Sequence, residues 1–198
     1  FFFHAYDGIG DRSPSSGIGD VYKWQSHDGF ANAPTSSRVT LGFNVPQSGP
    51  YADEGADELR AYNLAVEHLN GEGDGGMLQT FSSKALDGTG ILGKNVEYVT
   101  GNTQTKPDAA RASARSMIEK DGAIMITGGS SSGVAISVQA LCQEIGIIFM
   151  ASLTHSNDIT GKEKKANGFR HFFNSYMIGA ALAPVLADRY GSDRKAYH

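Results

Sequence analysis

One cysteine, Cys142, is all that the chain holds in 198 residues. An intrachain disulfide is therefore impossible, and no cysteine-built zinc cluster exists. Oxidising compartments permit disulfides without requiring them, so this scarcity leaves the compartment open. Basic residues are also in deficit: 17 Lys and Arg stand against 21 Asp and Glu, a formal net charge of −4 with His neutral. Non-specific nucleic-acid binders need the opposite balance to neutralise phosphates, so nucleic acid is excluded as a partner of that kind. No uncharged apolar run reaches the roughly 18–20 residues of a membrane-spanning helix. The opening Phe1-Phe2-Phe3 lacks the basic flank and long apolar stretch of an intact signal peptide.

Several catalytic signatures are missing as well. The six histidines form no HExxH or HxH pair, so metal ligation has little support. No Gly-Lys-Ser/Thr follows the glycine-rich loop at 128–133, so it is not a Walker A loop. Ser132 and His155 are types that serve as nucleophile and base, but no GxSxG elbow holds the serine and nothing marks an orienting acid. Cys142 lies beside Leu141 and Ile145 on a helical pattern and reads as a small core residue. The Lys-Glu-Lys-Lys run at 162–165 reads as a solvated turn.

Glycine, by contrast, is abundant, with 25 residues. Five fall in residues 1–38, where Gly-Ile-Gly-Asp occurs twice around a Ser/Pro-rich stretch; this region reads as an extended arm without a core of its own. From residue 39 the pattern turns to strand–helix alternation. Residues 39–45 (VTLGFNV) form a short apolar run closed by Pro46. Leu59, Tyr62, Val66 and Leu69 then recur at helical spacing, and Asn70-Gly71 ends that helix. A glycine-rich connection over 71–93 leads to a strand at 95–100. Thr105 is a candidate cap, with Pro107 and Asp108 in the first turn of a helix whose apolar face is Ala110, Ala114, Met117 and Ile118. A strand at 123–127, a helix at 134–145 and a strand at 147–150 follow. Residues 169–173 read as a further strand, capped at Asn174 or Ser175 before a helix at 176–190 that carries Pro184. The closing Ala196-Tyr197-His198 reads as the start of a strand, which suggests a fragment of something longer.

This alternation predicts an α/β fold: an open, mostly parallel sheet with helices on both faces. Ligands of such sheets sit beyond the carboxyl ends of the strands. Three loops fall there, at 46–55, 128–133 and 151–161. The 128–133 loop (GGSSSG) offers hydroxyls, glycines that permit close approach, and the free N–H groups of a helix start. That suits a carboxylate or phosphate; the same residues also suit a helix cap with turn glycines and no ligand. The loop holding Leu153, Thr154 and His155 is rich in polar groups, and reads either as a second wall of the cleft or as a solvated turn. Tyr51 and Glu54 open the first helix, and either line the cleft or complement the helix dipole.

The run VTLGFNVPQSGPYADEGADELRAYNLAVEHLN, followed by DAARASARSMIEKDGAIMITGGSSSG, EIGIIFMAS and FRHFFNSYMIGAALA, resembles the type I periplasmic substrate-binding proteins of ABC importers, of the branched-chain amino-acid type. The resemblance covers about residues 39–198. It implies two α/β lobes that clamp a ligand, with lobe 1 over 39–168 and the second lobe only begun at 169–198. It implies that Ser131 and Ser132 meet a ligand carboxylate, that Leu153, Thr154 and His155 add contacts, and that Tyr51 and Glu54 line the cleft. His155 stands where relatives often carry a small hydroxyl residue, and 151–158 holds less proline than is common. The ligand expected therefore ranges over amino acids, amides, urea and small organic acids, aromatic ones included. The same resemblance implies a periplasmic or extracellular protein that delivers its solute to ABC permease subunits, with no catalysis and no cofactor. A ligand-sensing receptor domain of the same fold, or an enzyme using the GGSSSG loop to hold an anion, are the alternatives. Residues 1–198 alone are expected to bind solute weakly or not at all, because cleft closure needs the second lobe.

Overall fold

A computed structural model describes residues 37–73, 78 and 80–191. Five strands form one parallel sheet: β1 (Arg38–Val45), β2 (Asn95–Asn102), β3 (Met125–Gly128), β4 (Ile148–Ala151) and β5 (Gly168–Arg170), in the spatial order β2-β1-β3-β4-β5. Among the described residues, four α-helices accompany them: α1 (Ala52–Leu69), α2 (Pro107–Glu119), α3 (Ser132–Ile145) and α4 (Ser175–Tyr190). The fold class is the one the alternation predicts. The chain steps from β1 to β2 on one side and to β3 on the other. Between the carboxyl ends of β1 and β3 lies the switch point where such sheets take their ligands.

Alternation along the strands divides the core between two faces. Val39 and Phe43 of β1 and Val96 of β2 meet α1 through buried Val66, with half-buried Leu59, Tyr62 and Leu69 around them. These are the four apolar positions read from the sequence. Phe43 stacks between Tyr62 and Tyr98, with centroids 4.6 and 5.0 Å away. The other face carries α2 and α3. All four predicted positions of α2 are buried there, against Ile126, Phe149 and a row from α3. Cys142 belongs to that row, fully buried, and burial pushes its thiol up to about 12.

Several details depart from expectation. Thr105 does not cap α2: it stands at φ +58, and Lys106 is the N-cap, without a side-chain cap bond, before Pro107 at the helix start. The strand expected over 169–173 is shorter and earlier, and it pairs with β4 as the edge of this same sheet. A lobe boundary at 168/169 would cut it. Of the arm at 1–38, only Ser37 and Arg38 are described, and Arg38 is already the first residue of β1. The expected strand start at 196–198 also lies outside the described residues.

Candidate functional site

In a parallel sheet all carboxyl ends lie along one edge, so the loops after β1, β3, β4 and β5 share it. The loop after β1 is braced from β2: Gln47 N donates to Asn102 Oδ1 (3.0 Å), Gln47 Nε2 to the Gly101 carbonyl (3.0 Å), and Asn102 Nδ2 to Ser48 Oγ (2.9 Å). The chain then turns into α1, whose Gly55 packs on Pro46. A Cβ at residue 55 would sit 2.0 Å from the Pro46 carbonyl oxygen, so only glycine lets the helix start this close to the end of β1.

β3 ends on Gly128 and the chain leaves it through Gly129, at φ +117 and +92. A Cβ on Gly128 would lie 2.7 Å from the Asn44 carbonyl oxygen of β1. Space and backbone angle both require glycine there. Ser131 is the N-cap of α3, in extended conformation, and its side chain makes no cap bond. The first N–H groups of α3 thus lack an intrahelical acceptor and bring the positive end of the dipole to this edge.

Ser132 Oγ accepts the N–H of Ser156 (3.2 Å), which joins the loop after β3 to the loop after β4. The second loop is held from β5 by Arg170, whose guanidinium donates to the carbonyls of Thr154 (2.6 Å) and Ser156. Burial depresses the Arg170 pKa. Thr154 is fully buried, and among the described residues its Oγ1 has no hydrogen-bond partner. His155 is half-buried against Phe172 and Phe173, with centroids 5.2 and 5.1 Å away, and its carbonyl accepts Ser175 N (2.8 Å) at the start of α4. Leu153 is half-buried in the same loop.

The structure thus brings Ser132 and the 153–156 loop together. Tyr51 and Glu54 stand exposed at the start of α1, and among the described residues their side chains make no hydrogen bond to the serine loop.

Sequence reasoning missed Glu58. It lies on α1, one turn before Tyr62, and is only 6% exposed. Its carboxylate accepts from Ser152 Oγ (2.7 Å), Ser130 Oγ (3.0 Å) and Tyr62 OH (3.1 Å). Burial raises its pKa, and the three hydroxyls partly offset that. The available signal was position: Glu58 falls on the same helical face as Tyr62. Arg170 was also missed, inside a segment read only as a strand.

A periplasmic binding protein family model matches residues 38–198. The chain belongs to the periplasmic binding protein family. It is 27% identical over 167 residues to a Leu/Ile/Val-binding protein homolog 7 of Brucella abortus (strain 2308), covering 82% of this chain and 37% of that protein. The chain therefore spans little more than a third of the length of the curated relatives it matches. A periplasmic binding protein from Burkholderia mallei superposes with TM-score 0.63 at 21% identity, over 77% of this chain and 36% of that one. A solute-binding protein of an ABC transporter from Rhodopseudomonas palustris HaA2, in complex with p-hydroxybenzoic acid, gives 0.60 at 20% identity, over 77% and 36%. These two likenesses show the fold. Among the described residues, no group of three or more His, Cys, Asp or Glu is placed to hold a metal.

Proposed function

We propose that this member of the family is an extracytoplasmic solute-binding protein. It captures a small polar solute, an amino acid, amide, urea or small organic acid, and delivers it to ABC permease subunits. The observation that carries the reading is the α3 start: a helix N-terminus with free N–H groups, flanked by Ser131 and Ser132, at the switch point of a parallel sheet. That favours a solute with a carboxylate, held by Ser132 with Ser131 beside it. His155, on its aromatic support, forms the neighbouring wall with Leu153 and Thr154, and Tyr51 and Glu54 line the entrance. The relatives' names are in keeping with both aliphatic and aromatic acids. The reading assigns binding without turnover.

The test is a titration followed by amide NMR, with L-leucine, 4-hydroxybenzoate, 4-hydroxybenzamide and urea offered at millimolar concentration. One of them should move the resonances of residues 129–133 and 153–156. Ser132→Ala should weaken that binding about 10- to 100-fold, the weight of one charge-assisted hydrogen bond. Lys164→Ala, on the surface turn, should leave it unchanged. If the acid and its neutral amide bind alike, the carboxylate assignment is wrong.

A further inference from the structure

Glu58 belongs to none of the loops that face the edge, yet it touches two of them. Oε1 accepts from Ser130, beside the α3 cap, and Oε2 accepts from Ser152, the first residue after β4. The partners lie 72 and 94 residues along the chain. Ser152 Oγ has a second acceptor in reach, the Gly129 carbonyl at 3.2 Å. A hydroxyl has one proton to donate. While the carboxyl is ionised, Ser152 gives that proton to Glu58 and the Gly129 carbonyl goes without it. When Glu58 carries a proton on Oε2, that proton is donated to Ser152 Oγ, and the Ser152 proton passes to Gly129.

We propose that Glu58 is a positioning residue of the candidate site: one proton on its carboxyl re-routes the Ser152 hydroxyl between Glu58 and the Gly129 carbonyl, and so tightens or loosens the 128–132 loop. The role deepens the solute-binding reading and rests on it, because it is that loop which would present Ser131 and Ser132 to a ligand.

The surroundings suit such a relay. The titratable and charged groups that act on Glu58 are both on α1. Tyr62 hydrogen-bonds it and is itself pushed up to about 12, so it stays protonated, and Glu54 one turn earlier repels the ionised form. The ends of β3 and β4 contribute hydroxyls, from Thr127, Ser130 and Ser152. Thr127 Oγ1 donates to the Met150 carbonyl (2.9 Å), which ties β3 to β4 beneath the carboxyl. Burial favours the protonated acid, so the proton leaves Glu58 above the ordinary carboxylate range.

The sign of the linkage follows. A carboxyl whose folded value is raised contributes stability that is complete below its unfolded value and lost as pH rises through the folded one. Glu58→Gln is the probe, because its amide mimics the protonated acid: Nε2 donates to Ser152, Oε1 accepts from Ser130, and nothing titrates.

The experiment is hydrogen–deuterium exchange of the 198-residue chain between about pH 5 and about pH 8, corrected for the intrinsic pH dependence of exchange. In the wild-type chain, protection of the Ala135 and Ser156 amides, which donate to the Ser131 carbonyl (3.0 Å) and to Ser132 Oγ (3.2 Å) and so report on the loop, should fall about fivefold across the range, the weight of one neutral hydrogen bond. Glu58→Gln should hold the acid-side protection throughout. Its denaturant midpoint should gain on wild type as pH rises. Ser152→Ala, which keeps the carboxylate but removes the relay, should lose the pH dependence and stay at the low protection. Equal pH profiles for wild type and Glu58→Gln, or a Ser152→Ala chain that keeps the wild-type profile, would overturn the proposal. No solute enters this readout, so a blank titration with the four solutes would count against the binding reading and leave the exchange result standing.

Discussion

Two helices of similar apolar content end up in opposite situations. In α3, Val134, Ala135, Val138, Leu141 and Cys142 are all buried, spaced by three and four residues against the sheet and α2. Its polar Gln139 is buried too, and donates from Nε2 to the carbonyls of Ile159 (3.1 Å) and Glu163 (2.9 Å). In α4, no residue is buried: Leu182, Val185, Leu186 and Tyr190 are each more than half exposed. Its first turn is held, with Ser175 N and Oγ on the His155 carbonyl and Tyr176 N on Asn157 Oδ1. The difference teaches that apolar content does not decide burial. In α3 the apolar residues fall on one stripe that matches a surface already formed by the strands. In α4 they run around the helix, through 176–178, 180–183 and 185–186, and the described residues offer no surface for them.

The largest expected effect sharpens the α3 side. Leu141→Ala removes a side chain of 0% exposure from the middle of the row. It should cost about 2–5 kcal/mol in a urea unfolding titration, with the slope of the transition unchanged. A cost below 1 kcal/mol would mean that α3 is not the keel of this sheet.

A smaller effect is expected at the N-cap of α4. Asn174 Oδ1 accepts the N–H of Met177 (2.9 Å), an N-cap that satisfies the third residue of the helix. Asn174→Ala should cost α4 about 1 kcal/mol. Because so little of α4 packs on the sheet, the loss should stay local. Amide exchange over 175–190 should quicken about fivefold, while the unfolding midpoint of the chain moves little. A fall of the global midpoint equal to that for Leu141→Ala would show that α4 and the sheet melt as one unit.

The same contrast explains what was legible in the sequence. Short-range punctuation was legible: Asn70-Gly71 closes α1, and Asn174, one of the two candidates, caps α4. So were the stripes of α1 and α2, because helical spacing is written in adjacent turns. The order of the loops at the carboxyl edge followed from the alternation alone. The partners of a polar side chain were not legible. Glu58 looks like any acid on an amphipathic helix until Ser130 and Ser152 arrive from other strands, and Arg170 looks like a strand residue until the 154–156 carbonyls turn toward it. Thr105 misled for a related reason: the chain enters α2 through a positive φ at that residue, set by a turn in which Thr105 N donates to Thr103 Oγ1 (3.2 Å).

The smallest effect would break the comparison most directly. Leu186 on α4 and Leu141 on α3 are the same residue type in the same secondary structure, at 52% and 0% exposure. If exposure decides, Leu186→Ala should change stability by less than about 0.5 kcal/mol, the usual range for a surface site, and alanine's slightly better helix propensity offsets part of that. A loss of about 2 kcal/mol or more would contradict the exposure: Leu186 would then be covered in solution. Protein concentration separates the two kinds of cover. A cover formed by a second copy weakens on dilution, so the midpoint of the unaltered chain would fall with concentration and that of Leu186→Ala would not. A cover formed by residues of the same chain outside 37–191 would leave both midpoints independent of concentration, and Leu186→Ala would still lie below.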